Sequence, residues 1–108
     1  MAKYFLIETR DPFESSDVGF YHDLARRLVA DGNQVILYLV QNGVFPARLG
    51  ARACGLAELA QAGVEVLADD FSLRERGISE GRLQSGIKPS PLDAVIDGLA
   101  GGSKVIWH

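Results

Sequence analysis

The amino-acid sequence predicts a small α/β domain with an open, mainly parallel sheet and helices on both faces. Three observations lead to this fold class. The chain has 108 residues, the usual size of one domain, so a single domain over residues 1–108 is expected. Helical patterns alternate with short apolar runs. Most of these runs are continuously apolar, as strands covered on both faces are. The predicted strands are Tyr4–Ile7, Val35–Val40, Val64–Ala68 and Lys104–Trp107.

The first helix is predicted over Asp17–Asp31, because apolar residues recur there on one helical stripe and Gly32 follows as a stop signal. His22 falls on the outer flank of this pattern and is expected to be solvated. The residues expected to face the core are Phe20, Tyr21, Leu24, Ala25 and Leu28.

Two further helices are predicted, over Leu49–Ala62 and from Pro91 onward. Ser90 fits the N-cap of the last helix, since its hydroxyl suits that position and proline suits the next. Between these helices, Gly77–Pro89 is predicted to be irregular, which is typical of a lid, a subunit contact or a mobile segment. The core-facing residues expected in the last helix are Leu92, Val95, Ile96 and Leu99.

Composition argues against several classes of function. Eleven basic and 14 acidic residues give a net charge of -3, so neither nucleic-acid binding nor membrane attachment is expected. One cysteine and two distant histidines do not predict a metal site or an intramolecular disulfide. No phosphate-binding glycine motif occurs, and no cofactor is predicted. The apolar run at the amino end is too short for a signal peptide, so a cytoplasmic location is expected.

The candidate functional residues follow the predicted strands, because open parallel sheets bind ligands outside the carboxyl ends of their strands. The loops concerned include 41–48 and 69–76. The residues predicted to form a ligand or partner surface are Asn42, Phe45, Asp69, Asp70, Ser72, Arg74, Arg76 and Trp107.

Two interpretations are open for Asp69 and Asp70. Paired carboxylates can perform acid–base chemistry or bind a cation. The plainer interpretation is that Asp70 caps a short helix over Phe71–Arg76, which Gly77 ends.

Two interpretations are also open for Cys54. Near the amino end of a helix, with Arg48 and Arg52 close in sequence, its thiolate would be favoured and Cys54 would be a candidate catalytic residue. A lone cysteine is, however, more often an inert, buried small hydrophobe. Separately, Trp107 together with Phe45 and Phe13 predicts an apolar rim, which favours a contact between subunits.

Two segments resemble the DsrE/DsrF/DsrH-like family, which includes the sulfur-relay proteins of the Tus type. They are Leu39–Phe45, with its Gln-Asn-Gly-Val-Phe sequence, and Ala68–Ser79, with Arg-Gly-Ile. The resemblance extends over nearly the whole chain. It implies a flavodoxin-like fold that assembles into dimers, trimers or hexamers.

The resemblance also implies where sulfur would be carried. In active members, a cysteine in the third-strand loop holds sulfur as a persulfide. Here Asp69 and Ser72 stand where such cysteines are expected, and neither side chain can hold a persulfide.

The leading hypothesis is therefore an oligomeric, non-catalytic binding or structural partner of a sulfur-relay protein. A sulfur carrier that uses Cys54 is the first alternative. A small-ligand sensor, with Asp69, Arg74 and Arg76 lining a pocket, is the second.

Overall fold

A computed structural model describes residues 2–11, 17–49 and 55–108. In this part of the chain, five parallel strands form one sheet in the order β4-β3-β2-β1-β5. The predicted α/β fold with an open parallel sheet is confirmed. The strands are β1 (Lys3–Glu8), β2 (Gln34–Leu39), β3 (Glu65–Asp69), β4 (Ile87–Ser90) and β5 (Lys104–Trp107).

The helices connect consecutive strands, as right-handed crossovers in a parallel sheet require. There are also two short 3-10 segments in the described ranges. The segment Gln41–Ala47 follows β2, and the segment Glu80–Arg82 precedes β4. The α-helices are α1 (Asp17–Ala30), α2 (Leu56–Gln61), α3 (Asp70–Glu75) and α4 (Asp93–Ala100). None of the helices in the described ranges is long and apolar enough to cross a membrane.

The two faces of the sheet are covered unequally. One face packs against α1 and α2, where residues such as Tyr21, Leu56 and Leu59 complete the larger core cluster. The other face carries Phe5, Tyr38 and their neighbours, and α4 covers it through Val95. The crossovers next to β1 and β5 thus run on opposite faces. In open sheets, this reversal opens a crevice at the carboxyl ends of the strands.

The fifth strand, β4, was not predicted from the sequence. It lies at the end of the segment expected to be irregular, and of its four residues only Ile87 is buried. Pro89 is tolerated there because β4 is an edge strand, where a missing N–H need not break a ladder. A short edge strand that contains proline has almost no pattern in the sequence.

The start of the last helix was predicted wrongly for the same reason. Ser90 ends β4 and is not an N-cap, and α4 begins after Leu92. Val95 faces the core as expected, but Leu92, Ile96 and Leu99 are more than half exposed. The helix lies against the sheet through Gly98, where an added Cβ would be 2.8 Å from the Phe5 ring.

The core-facing stripe predicted for α1 is confirmed at Tyr21 and Ala25, which are buried, and at Leu24 and Leu28, which pack partly buried against the core, but it is wrong at two other positions. Phe20 is 71% exposed, whereas His22, expected to be solvated, is only 4% exposed. Tyr21 faces the core as predicted, and its hydroxyl reaches the carboxyl ends of β1 and β5, where it donates to the carbonyl of Ile106 at 2.6 Å.

The predicted second helix, Leu49–Ala62, differs from the structure at the residues that are described. Among these, Leu56–Gln61 is helical, Gly55 precedes the helix in a left-handed conformation, and Leu49 lies in a turn. The backbone N–H of Leu49 donates to the carbonyl of Arg82, which holds it against the connection between α3 and β4.

Candidate functional site

Asp69 is the last residue of β3 and caps α3. Its carboxylate accepts a hydrogen bond from the Ser72 N–H at 3.0 Å, as an N-cap side chain does. The sequence correctly predicted a short helix after β3, and Gly77 follows it with a φ of 69°. The cap, however, is Asp69. Asp70 lies in the first turn and forms an ion pair with Arg74 at 3.9 Å.

The buried Asp69 carboxylate is the centre of a hydroxyl network. Its Oδ2 also accepts from the Ser72 hydroxyl at 2.7 Å, and its Oδ1 accepts from the Tyr38 hydroxyl at 3.1 Å. The Ser72 hydroxyl in turn accepts from the backbone N–H of Gln41 at 2.8 Å. Gln41 has a φ of 52°, a left-handed conformation that is costly for this residue type. The network therefore joins α3 to the strained exit of β2.

Tyr38 remains protonated in this environment. Burial raises the pKa of its phenol above the ordinary value of 10.0, and the nearby Asp69 charge raises it further. Its hydroxyl is thus a permanent donor, shared between Asp69 and the carbonyl of Ser90 at 3.1 Å. The tyrosine ties the carboxyl ends of β2, β3 and β4 together.

Three of the predicted surface residues form a second layer outside this network. The carboxamide oxygen of Asn42 accepts two hydrogen bonds from the Arg76 guanidinium, at 3.2 and 3.1 Å. The same guanidinium lies 5.8 Å from the centre of the Phe45 ring, and that of Arg48 lies 5.1 Å from it. Such distances allow cation–π attraction. Two guanidinium groups thus lie next to the Phe45 ring, in the segment that follows β2.

A shallow depression of about 260 Å³ lies beside this layer, between the exit of the 3-10 segment Gln41–Ala47 and the connection from α3 to β4. Its lining combines guanidinium, hydroxyl and apolar groups. The lining residues are Arg48, Leu49, Gly77, Ile78, Ser79 and Arg82.

A second polar cluster lies at the carboxyl ends of β1 and β5. Glu8 is 1% exposed and ends β1. Both of its carboxylate oxygens lie 2.9 Å from Nδ1 of His108, and one accepts from the backbone N–H of Arg10 at 3.1 Å. Because a carboxylate accepts only, Nδ1 carries the proton in this pair.

The His108 ring is held in place from several sides. It stacks on the Tyr21 ring with centroids 4.9 Å apart. Its carbonyl accepts from the Thr9 hydroxyl at 2.9 Å, and its N–H donates to the carbonyl of Ile7 at 2.8 Å. Burial, and then the Glu8 charge, raise the pKa of Tyr21 well above its usual range. An imidazole fixed by a buried carboxylate has the arrangement that general-base histidines use.

Gly43 joins the two clusters. A Cβ at this position would lie 2.3 Å from the backbone carbonyl oxygen of Glu8, so only glycine lets the segment after β2 approach the end of β1 so closely. The N–H of Val40 also donates to that carbonyl at 2.9 Å. The exits of β1 and β2 are therefore locked together.

The structure separates the predicted surface residues into two groups. Those after β2 and β3 lie together, whereas Trp107 is on β5, with β1 and β2 between it and β3. Trp107 is 67% exposed. Cys54 and Phe13 lie outside the described residues. No group of three metal-ligating side chains is found in the described ranges.

Sequence reasoning missed Glu8, His108, Tyr21 and Tyr38. A usable signal existed for the first two, because each polar residue directly follows the core of a predicted strand, and parallel strands end at one edge. The pairing itself required knowing that β5 lies beside β1.

The fold and the two clusters define a small parallel α/β domain with a polar carboxyl edge, and three solved structures share that architecture. The ychN protein from E. coli superposes with a TM-score of 0.88 at 20% identity, each chain covering 100% of the other. MTH1491 from Methanobacterium thermoautotrophicum, a protein of unknown function, gives 0.83 at 23%, with 99% of this chain and 98% of that chain covered.

BT1422 from Bacteroides thetaiotaomicron, a conserved protein of unknown function, is a more distant match. It gives a TM-score of 0.67 at 14% identity, with 98% of this chain and 94% of that chain covered. At these identities the likeness establishes the fold. No protein-family model and no curated protein matches the chain.

Proposed function

We propose that this chain is a DsrE-like oligomeric protein of intracellular sulfur metabolism that acts as a non-catalytic binding or structural partner in a sulfur relay. The proposal rests mainly on one observation, which is that Asp69 and Ser72 have a structural role. The resemblance places the sulfur-carrying cysteine of active members in this loop. Here the two residues are buried and hold the start of α3 and the exit of β2.

The residues available to a partner protein lie above that network. Arg74 and Phe71 are exposed on α3, while Asn42, Phe45 and Arg76 are partly exposed beside them. Aromatic and arginine side chains are the types that most often dominate binding at interfaces. This surface would dock a relay protein without itself accepting sulfur.

The test uses the purified protein and a persulfide donor, with intact mass spectrometry as the readout. We expect no persulfide that passes to a relay protein, because the loop has no thiol. We also expect binding to a relay protein encoded beside this chain to be unchanged in Cys54→Ser and weakened at least about tenfold in Phe45→Ala, as for a central interface aromatic. Sulfur loaded onto Cys54 and then transferred would overturn the proposal in favour of a sulfur carrier.

We also propose that the domain self-associates through the face covered by α4. Leu92, Ile96 and Leu99 follow helical spacing and are all more than half exposed. Trp107 is exposed on the same side of the sheet, since it pairs with Ile7, whose side chain packs in the α4-side core. Exposed apolar residues gathered on one face of a domain are typical of subunit interfaces.

Sedimentation velocity tests the self-association. We expect an oligomer for the parent protein and smaller species for the double variant Ile96→Glu, Trp107→Glu. Phe20→Glu is the matched control, because Phe20 is equally exposed but lies on α1 on the opposite face. A monomeric parent protein, or dissociation caused by the control instead, would refute this interface.

A further inference from the structure

The depression between Ala47–Leu49 and Gly77–Arg82 is built from two segments whose backbones are fastened together. The N–H of Leu49 donates to the carbonyl of Arg82 at 2.6 Å, and the N–H of Gln84 donates to that of Ala47 at 2.9 Å. Arg48 and Leu83 form an antiparallel bridge. The Gln84 side chain also donates to the carbonyl of Pro46 at 2.8 Å. The walls of the depression are therefore fixed before anything binds.

This bridge brings two guanidinium groups to one depression. Arg48 and Arg82 both line it and both are exposed. Within the described residues, the arginines that form ion pairs with carboxylates are Arg26, Arg74 and Arg76. Arg48 instead donates from Nε to the carbonyl of Phe45 at 2.9 Å. In a protein with a net charge of -3, this is a local concentration of positive charge.

The rest of the lining is suited to a small molecule with a polar head. Ser79 contributes a hydroxyl, and Gly77 leaves open space where a side chain would stand. Leu49, which is 63% exposed, and Ile78 form an apolar wall. The lining thus offers donors from two arginines and a serine, which are groups that bind phosphate-type oxyanions. Glu80 adjoins Ser79 in the chain but is not among the lining residues.

We propose that this depression binds a phosphate-type oxyanion, either free or as the head of a small organic molecule whose apolar part lies on Leu49 and Ile78. Guanidinium groups recognise such oxyanions by charge-assisted, directional hydrogen bonds. The site is separate from the hydrogen-bond network of Asp69 and Ser72, because neither residue is among the described lining residues.

Nuclear magnetic resonance titration of the nitrogen-15-labelled protein tests the site, with inorganic phosphate, phenyl phosphate and phenol as probes. Both phosphates are expected to shift the amide signals of Gly77, Ile78 and Ser79 in a saturable way, while phenol leaves them unchanged. Tighter binding of phenyl phosphate supports an organic ligand. Equal binding supports the free oxyanion.

Three variants separate the site from general surface charge. Arg48→Gln and Arg82→Gln should each weaken phosphate binding about tenfold, the usual effect of losing one charged hydrogen-bond donor. Arg74→Gln removes the same charge from an exposed position on α3 and should change affinity less than about twofold. Thermal unfolding by circular dichroism verifies that all three fold. Non-saturable shifts, equal weakening by the Arg74 variant, or phenol binding as tightly as phenyl phosphate would each refute the proposal.

Discussion

The carboxyl ends of β2 and β3 and those of β1 and β5 each bury one carboxylate, but the two regions use it differently. Asp69 is held by Ser72, three residues away, and by Tyr38 on the neighbouring strand. Glu8 faces the imidazole of His108, 100 residues away. The first carboxylate is occupied by donors that build the fold. The second orients a group able to move a proton.

The two carboxylates therefore differ in their roles at the same edge of the sheet. The Asp69 network stabilises a helix start and a strained strand exit, so its removal should affect folding. The Glu8–His108 pair fixes a proton-accepting ring at the crevice where the crossovers change face, which is the expected ligand position in an open sheet. The polar cluster that was visible in the sequence is thus structural, and a less visible one pairs a buried carboxylate with an imidazole.

The largest loss of stability is expected for a substitution at Gly43, where the two regions meet. Gly43→Ala should destabilise the protein by about 3 kcal/mol, because the new Cβ collides with the backbone carbonyl of Glu8 and must displace it. Gly19→Ala is the matched control. It adds the same methyl group to open space in α1 and should stabilise by about 0.5–1 kcal/mol. Urea denaturation measures both values, and a neutral Gly43→Ala would show that the two exits are not locked.

A smaller effect is expected at the cap of α3. Asp69→Ala should cost about 2 kcal/mol, since it removes the N-cap and leaves buried hydroxyl donors with fewer acceptors. Asp70→Ala removes a long, partly exposed ion pair with Arg74 and should cost less than about 0.5 kcal/mol. Comparable losses of unfolding free energy in the two variants would contradict the assignment of the cap to Asp69.

The smallest loss of stability is expected when one buried tyrosine from each region is replaced by phenylalanine. Tyr38→Phe and Tyr21→Phe should each cost about 1 kcal/mol near neutral pH, for the lost hydrogen bonds. Both phenols have a raised pKa in the folded protein, so the unfolded chain releases these protons first as pH passes 10.0. Stability present below that pH is therefore lost above it.

The loss of stability at alkaline pH distinguishes the two phenylalanine variants from the parent protein. Each phenylalanine substitution removes one of the two titrating groups, so the unfolding free energy should fall less steeply above pH 10.0 than in the parent protein. Tyr4→Phe, at a tyrosine that is only partly buried on β1, controls for the general effect of losing a phenol. An unchanged slope in both test variants would mean that neither buried phenol is linked to folding.

Features with a local pattern were predicted well. The apolar runs identify β1, β2, β3 and β5, and an aspartate before Phe71 together with Gly77 after Arg76 identifies the short helix after β3. Features that depend on contacts with distant parts of the chain were not predicted well. His22 is buried and Phe20 is exposed, because the edge of a helix's core-facing stripe depends on what packs beside the helix, which the spacing of apolar residues does not specify.

The sequence by itself determined the class of fold, since strand and helix periodicity depend on residues a few positions apart. It also determined that polar residues follow the ends of the strands. Only the tertiary structure decided the order of the strands, with β4 on one edge and β5 beside β1. That order pairs Glu8 with His108 and seats Arg48 beside Arg82, because contacts between distant segments depend on the packing of the whole domain.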